Sequence, residues 1–203
     1  MRILTCAGTA LAITALSAVS VASDAPSIPP GIQALLKADD TVLALKSIKP
    51  FGGAPSGTAV VVRHAQPEDA HDNPCELLLL TPDGDSFHVA ARNRQIVDCR
   101  YNEAAKASGP MGTQGNLMLS PTSVAYFNEL SRGGTTYAFS WAKDESTWHL
   151  QHVEATSVQN TDDGVAVYKS VLDYPSALPW IALGDFDPTT IRAAMMKNRK
   201  AVP

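Results

Sequence analysis

The sequence predicts a mainly β protein, a single antiparallel meander or sandwich-like sheet with a short N-terminal helix and a C-terminal helix. Three observations predict it. Strand-length apolar and β-branched runs recur from residue 58 to residue 172. The segments between them carry turn chemistry, Pro82-Asp83-Gly84-Asp85, Arg132-Gly133-Gly134 and Asp162-Asp163-Gly164. The aromatic residues Tyr126, Phe127, Tyr137, Phe139, Trp141 and Trp148 are spaced mainly by twos, the period of a sheet.

The chain opens with Met1-Arg2, an apolar stretch over residues 3–21 and the small residues Ser20-Val21-Ala22. One positive charge, an apolar core and a small-x-small site make a secretory signal peptide over residues 1–22, with cleavage expected after Ala22. A membrane anchor would need more Leu and Ile and a basic flank, whereas this run is rich in Ala, Ser and Thr and meets an acidic, Pro-rich segment. Cys6 lies too early for a lipoprotein site and leaves with the signal. The expected location is periplasmic or secreted, with no stable membrane anchor.

Cleavage removes one of the 16 basic residues and none of the 20 acidic ones, so the net charge moves from -4 to -5. An acidic chain has no general attraction for nucleic acid or an anionic membrane, but suits a cationic partner. Cys75 and Cys99 remain, and an even pair in an oxidising compartment predicts a disulfide. Closing that loop stabilises the fold by about 3 to 3.5 kcal/mol in the chain-entropy model.

Residues 23–57 read as an N-terminal arm: a Pro and Ser tether, a helical candidate at 32–37, a strand at 41–48, then breakers from Pro50 to Gly57. Residues 58–203 read as one β-rich domain with a C-terminal helix. Strands are predicted at 58–64, 76–81, 86–91 and 95–99, with a loop at 100–116. More follow at 117–120, 123–130, 135–142, 147–158 and 165–172. Asp83-Gly84 supplies the positive φ of a tight hairpin. Tyr137, Phe139 and Trp141 share one face, that of the core. The last helix is expected at 189–198, opened by Pro188 and closed by Lys197, Arg199 and Lys200.

Val60-Val61-Val62-Arg63-His64-Ala65-Gln66 resembles the Arg-His strand end of the histidine phosphatases. The resemblance implies that Arg63 holds phosphoryl oxygens while His64 attacks phosphorus, opposite a second Arg and a second His. Here Pro67, an acidic loop and a hairpin stand where a helix should follow. Ser140-Trp141-Ala142-Lys143 has the Ser-x-x-Lys spacing of penicillin-recognising enzymes, but across a strand end rather than one helical turn.

His149 and His152 are three residues apart in a strand and are expected on opposite faces, which forbids a same-strand metal site. His71 and Asp72 form an incomplete ligand set. The pairs Asp83/Asp85, Asp162/Asp163 and Asp185/Asp187 lack the alternating oxygens and distal acid of a calcium loop. No cofactor is expected.

The strand Cys75-Glu76-Leu77-Leu78-Leu79-Leu80, the Val97-Asp98-Cys99 strand end, and residues 135–141 with Trp148-His149-Leu150 together resemble uncharacterised exported β-rich proteins of Gram-negative bacteria. Some of those inhibit peptidoglycan hydrolases or confer immunity against secreted toxins. The resemblance implies a non-catalytic periplasmic binding or inhibitory protein that occludes a cationic cell-wall hydrolase or toxin. The alternative is a phosphohydrolase using Arg63 and His64.

Overall fold

A computed structural model describes residues 27–50, 53–67, 70–162 and 164–202. The expected signal segment 1–22 and cleavage site lie outside the described residues. Among the described residues, ten strands form two antiparallel sheets, each an uninterrupted meander in chain order. The first sheet holds β1 (Thr41–Ile48), β2 (Gly57–Arg63), β3 (Cys75–Asp83) and β4 (Ser86–Asn93), in that order. The second runs β10 (Lys200–Val202), β9 (Gly164–Asp173), β8 (Thr147–Thr161), β7 (Gly133–Ala142), β6 (Ser123–Leu130), β5 (Leu117–Leu119).

The sheets face one another across a common core. Ala59, Val61, Leu77 and Leu79 of the first meet Tyr126, Phe139, Leu150 and Leu172 of the second, all at most 2 % exposed. This is a β-sandwich. Tyr137 and Phe139 both set their ring edges against Phe186, at 5.0 and 5.7 Å. Trp141 meets Trp148 in the same manner, so the aromatic stripe is a core stripe.

The apolar runs at 60–62 and 77–80 do not alternate, which calls for cover on both faces of the first sheet. Within the stretch expected to be an arm, Thr41–Ile48 is the edge strand of that sheet, and the residues before it supply the cover. The helix α1 (Pro30–Gln33) places Ile32, flanked by Ile28 and Leu36, on Val42, Val60, Val62, Leu78 and Leu80.

The hairpins follow their glycines: Gly84, at φ +59, turns β3 into β4, and Gly133, at φ +141, opens β7 close to the Thr156 carbonyl.

Three expectations need correction. Residues 95–99 are not a strand. Three asparagine side chains take up their backbone groups instead. Asn93 Oδ1 accepts from the N–H groups of Gln95 (2.6 Å) and Ile96 (3.0 Å). Asn128 accepts from the Asp98 N–H at 2.8 Å and donates to the Ile96 carbonyl at 2.7 Å. Asn73 donates to the carbonyls of Arg94 and Val97, both at 2.6 Å, and accepts from the Cys99 N–H at 3.1 Å. A ladder partner is therefore not needed.

The expected loop at 100–116 contains the helix α2 (Glu103–Ala107), capped by the Asn102 side chain, which accepts from the Ala105 N–H at 3.1 Å. At the C-terminus, a 3-10 turn at Pro188–Ile191 leads into α3 (Arg192–Lys197), and an unforeseen edge strand β10 follows it. Asp187 holds the start of this turn, accepting from the Thr189 N–H at 2.8 Å. The helix lies over β9, where Ser170 donates to the Met195 carbonyl at 2.9 Å.

Cys75 and Cys99 form the disulfide, with Cα atoms 5.7 Å apart and both residues fully buried. Among the described residues no helix is long and apolar enough to cross a membrane.

Candidate functional site

Arg63 closes β2, and the chain continues to His64, whose N–H donates to the Pro74 carbonyl at 2.9 Å. Arg63 turns to α2. Its Nη1 donates to the carbonyls of Lys106 and Ser108, the latter at 2.8 Å, and so satisfies acceptors that a short helix leaves open at its C-terminal end.

His64 lies between two acids. Its Nε2 meets Glu76 Oε2 at 2.9 Å and its Nδ1 faces Asp40 Oδ2 at 3.1 Å, an ion-pair distance without hydrogen-bond alignment. The Glu76 side chain is 2 % exposed and takes a two-point contact from Arg92, at 2.8 and 3.0 Å. Burial raises the carboxyl pKa of Asp40. The Lys37 N–H, the facing His64 and the Ala65 N–H outweigh it and hold Asp40 below its ordinary 3.8.

A hollow of about 600 Å³ opens beside His64 and includes His71, Asp72 and Arg100. Its chemistry does not suit phosphoryl transfer by the expected pair. Arg63 is spent on carbonyl oxygens, and two carboxylates flank the histidine where a phosphate dianion would have to approach. The other second-histidine candidates lie elsewhere, in β8 of the second sheet.

There the parity reading is overturned. The pairing of β7 with β8 runs Phe139 to Leu150 and then Ala138 to His152, so Gln151 is a bulge. Leu150 and Val153 both enter the core, and His149 and His152 both face outward. They still do not meet in one site. His152 pairs with Asp173 at 2.7 Å, while His149 stacks on Trp180 at 4.3 Å and 16° and touches Tyr174 edge-on at 5.0 Å.

His149 is 6 % exposed and its Nδ1 has no partner among the described residues. Burial pushes its pKa below the ordinary 6.5, against the weaker opposing influences of the Leu150 backbone and Glu145. The neutral ring is thus the folded form. Its contribution to stability is complete above the unfolded value and is lost as pH falls through the lower folded value. Melting temperatures measured from about pH 8 to about pH 5 are expected to fall less in His149→Phe, which keeps the stacking, than in the parent. Equal slopes would remove His149 as the source. Asp40, also lowered, acts in a separate window below 3.8.

Ser140 lies inside β7, paired with Ser123 and His149, while Lys143 lies in the following turn. Among the described residues no group of three or more His, Cys, Asp or Glu side chains could hold a metal ion. Asp163 lies outside the described residues.

A second hollow, of about 360 Å³, is the arrangement that sequence reasoning missed. Asp72, Asp98 and Asp187 surround it, with Tyr137 and Asn128 at its wall and Arg100 as the cation beside them. Asp98 Oδ1 accepts from the N–H groups of Arg100 (3.0 Å) and Tyr101 (2.9 Å), and Asp187 is fixed by Thr189 as above. Backbone amides thus orient two of these carboxylates. Burial, then the negative charge of Asp98, pushes the Tyr137 hydroxyl up to about 12, so it stays a neutral donor. Such a hollow can receive a lysine or arginine side chain. Its three acids come from positions 72, 98 and 187, with no local spacing to announce them. No family model matches the chain, and comparison with curated proteins and with solved structures finds no match.

Proposed function

We propose that this is a non-catalytic periplasmic binding or inhibitory protein that occludes a cationic partner, a cell-wall hydrolase or a secreted toxin. The acidic hollow at Asp72, Asp98 and Asp187 carries the reading, because Asp98 sits on a disulfide-braced, asparagine-clamped loop and the Thr189 N–H fixes Asp187. A pre-ordered acidic recess loses little entropy when a basic side chain enters it. The action is steric and electrostatic, and needs no cofactor.

Peptidoglycan-clearing assays with a panel of basic muramidases and amidases test it. Inhibition is expected for at least one enzyme, and the double variant Asp98→Asn/Asp187→Asn, which keeps the turn acceptors but removes two charges, should weaken it about tenfold or more. Inhibition that survives this change, or no inhibition across the panel and no binding of a basic toxin, would sink the reading.

The phosphohydrolase alternative has its own check. His64→Ala should leave background release from p-nitrophenyl phosphate unchanged, since both ring nitrogens of His64 face carboxylates, Glu76 and Asp40. A measurable rate in the parent that disappears in His64→Ala would revive that alternative.

A further inference from the structure

We propose that the open end of the sandwich holds a second binding site, for a small amphiphile with an apolar tail and a carboxylate head. A cleft of about 510 Å³ lies where β1 leaves the first sheet beside the turn from β5 to β6. Its floor is Trp148, 5 % exposed, and its walls include Ile48, Leu119 and Pro121. Ile48 and Leu119 also pack against the main core, so the cleft opens directly off it. Clefts of roughly 300–1,000 Å³ with mostly apolar walls and a few convergent polar groups are the ordinary form of small-molecule sites.

Polar groups line the same cleft. Ser120 Oγ accepts from the N–H groups of Thr122 (3.2 Å) and Ser123 (3.0 Å), and its hydroxyl meets that of Ser123 at 2.8 Å, which sets the turn as a fixed shelf of hydroxyls. Lys49 lines the cleft, is exposed, and has no carboxylate within ion-pair distance among the described residues. The neighbouring Lys46 is used differently, donating to the Leu117 carbonyl. An ammonium with no carboxylate partner among the described residues, in a cleft that hydroxyls and apolar side chains also line, complements an anionic head with an apolar tail. A cationic amphiphile would meet Lys49 as a like charge, and a neutral one would gain no charge attraction from it. The site is independent of the acidic hollow.

The mature protein is titrated by calorimetry with decanoate, with decyl maltoside and decylamine as head-group controls, each below its micellar concentration. Decanoate should bind saturably, one to one, at least tenfold more tightly than either control. Lys49→Glu should weaken it by about tenfold, and Leu119→Trp or Ser47→Trp, each checked for an unchanged far-ultraviolet spectrum, should abolish it by filling the cleft. No saturable decanoate binding, equal binding of the controls, insensitivity to Lys49→Glu, or persistence in both folded tryptophan variants would each overturn the proposal.

Discussion

Asn93→Ala is expected to lower the unfolding free energy by about 3 to 4 kcal/mol, as read from urea midpoints at an unchanged slope. Asn93 ends β4 and is 6 % exposed. Its amide donates to the carbonyls of Leu183 and Phe186, both at 2.8 Å, while its oxygen takes the N–H groups of Gln95 and Ile96. One side chain therefore joins the end of the first sheet, the loop at 93–99 and the 3-10 turn Leu183–Asp185, which presents Phe186 to Tyr137 and Phe139. Truncation strands the Phe186 carbonyl and the Gln95 and Ile96 N–H groups, while the Leu183 carbonyl keeps the Phe186 N–H at 3.4 Å, and each stranded group costs about 1 kcal/mol or somewhat more where water does not reach it. Asn93→Asp separates the two halves of the role: it keeps the acceptor for Gln95 and Ile96 but points a charged oxygen at two carbonyls. It should be destabilised comparably at neutral pH. A loss below about 1 kcal/mol in Asn93→Ala would mean that the loop is held by other contacts.

The same side chain shows where sequence reading stops. The hairpins were legible because Gly84 and Gly133 adopt conformations that side-chain-bearing residues avoid, and those requirements are local. The core stripe Tyr137, Phe139 and Trp141 was legible because its period of two is unbroken inside β7. Residues 95–99 look like a strand by composition, yet their backbone is satisfied by Asn73, Asn93 and Asn128 from three separate places in the chain. Nothing within the segment announces that.

The bulge at Gln151 is equally silent, and it alone reverses the facing of His149 relative to His152. The acidic hollow was hidden for a related reason. Asp98 read as part of a strand end and Asp187 as part of an acidic pair with Asp185, and only the sandwich brings them to the same recess. Arg63 and His64 are adjacent in sequence but turn to different neighbours, one to the carbonyls after α2 and the other to Asp40 and Glu76. Adjacency suggested a shared chemistry that the local geometry divides.

Cys75→Ala/Cys99→Ala is expected to cost about 3 kcal/mol, chiefly by freeing the unfolded chain. The cross-link spans 24 residues that include the whole hairpin of β3 and β4. In the folded state the two ends are also joined by Asn73, whose oxygen lies 3.1 Å from the Cys99 nitrogen and 3.4 Å from that of Cys75. The native loop therefore keeps a polar clip when the sulfurs go, and the loss falls mainly on the denatured side. Denaturant slopes should rise in the double variant, because its unfolded ensemble is larger.

The clip and the cross-link then act on one junction, so their deletions should not add. Asn73→Ala is expected to cost about 2 kcal/mol in the cross-linked protein and more in the cysteine-free one, where the sulfurs no longer return Cys99 to the start of β3. Equal costs in both backgrounds would show the two links to be independent. Since Asp98 is carried between Asn128 and Cys99, the cysteine-free protein should also lose affinity for the proposed basic partner before it loses its fold. That order, binding before unfolding, would tie the disulfide to the acidic hollow rather than to stability alone.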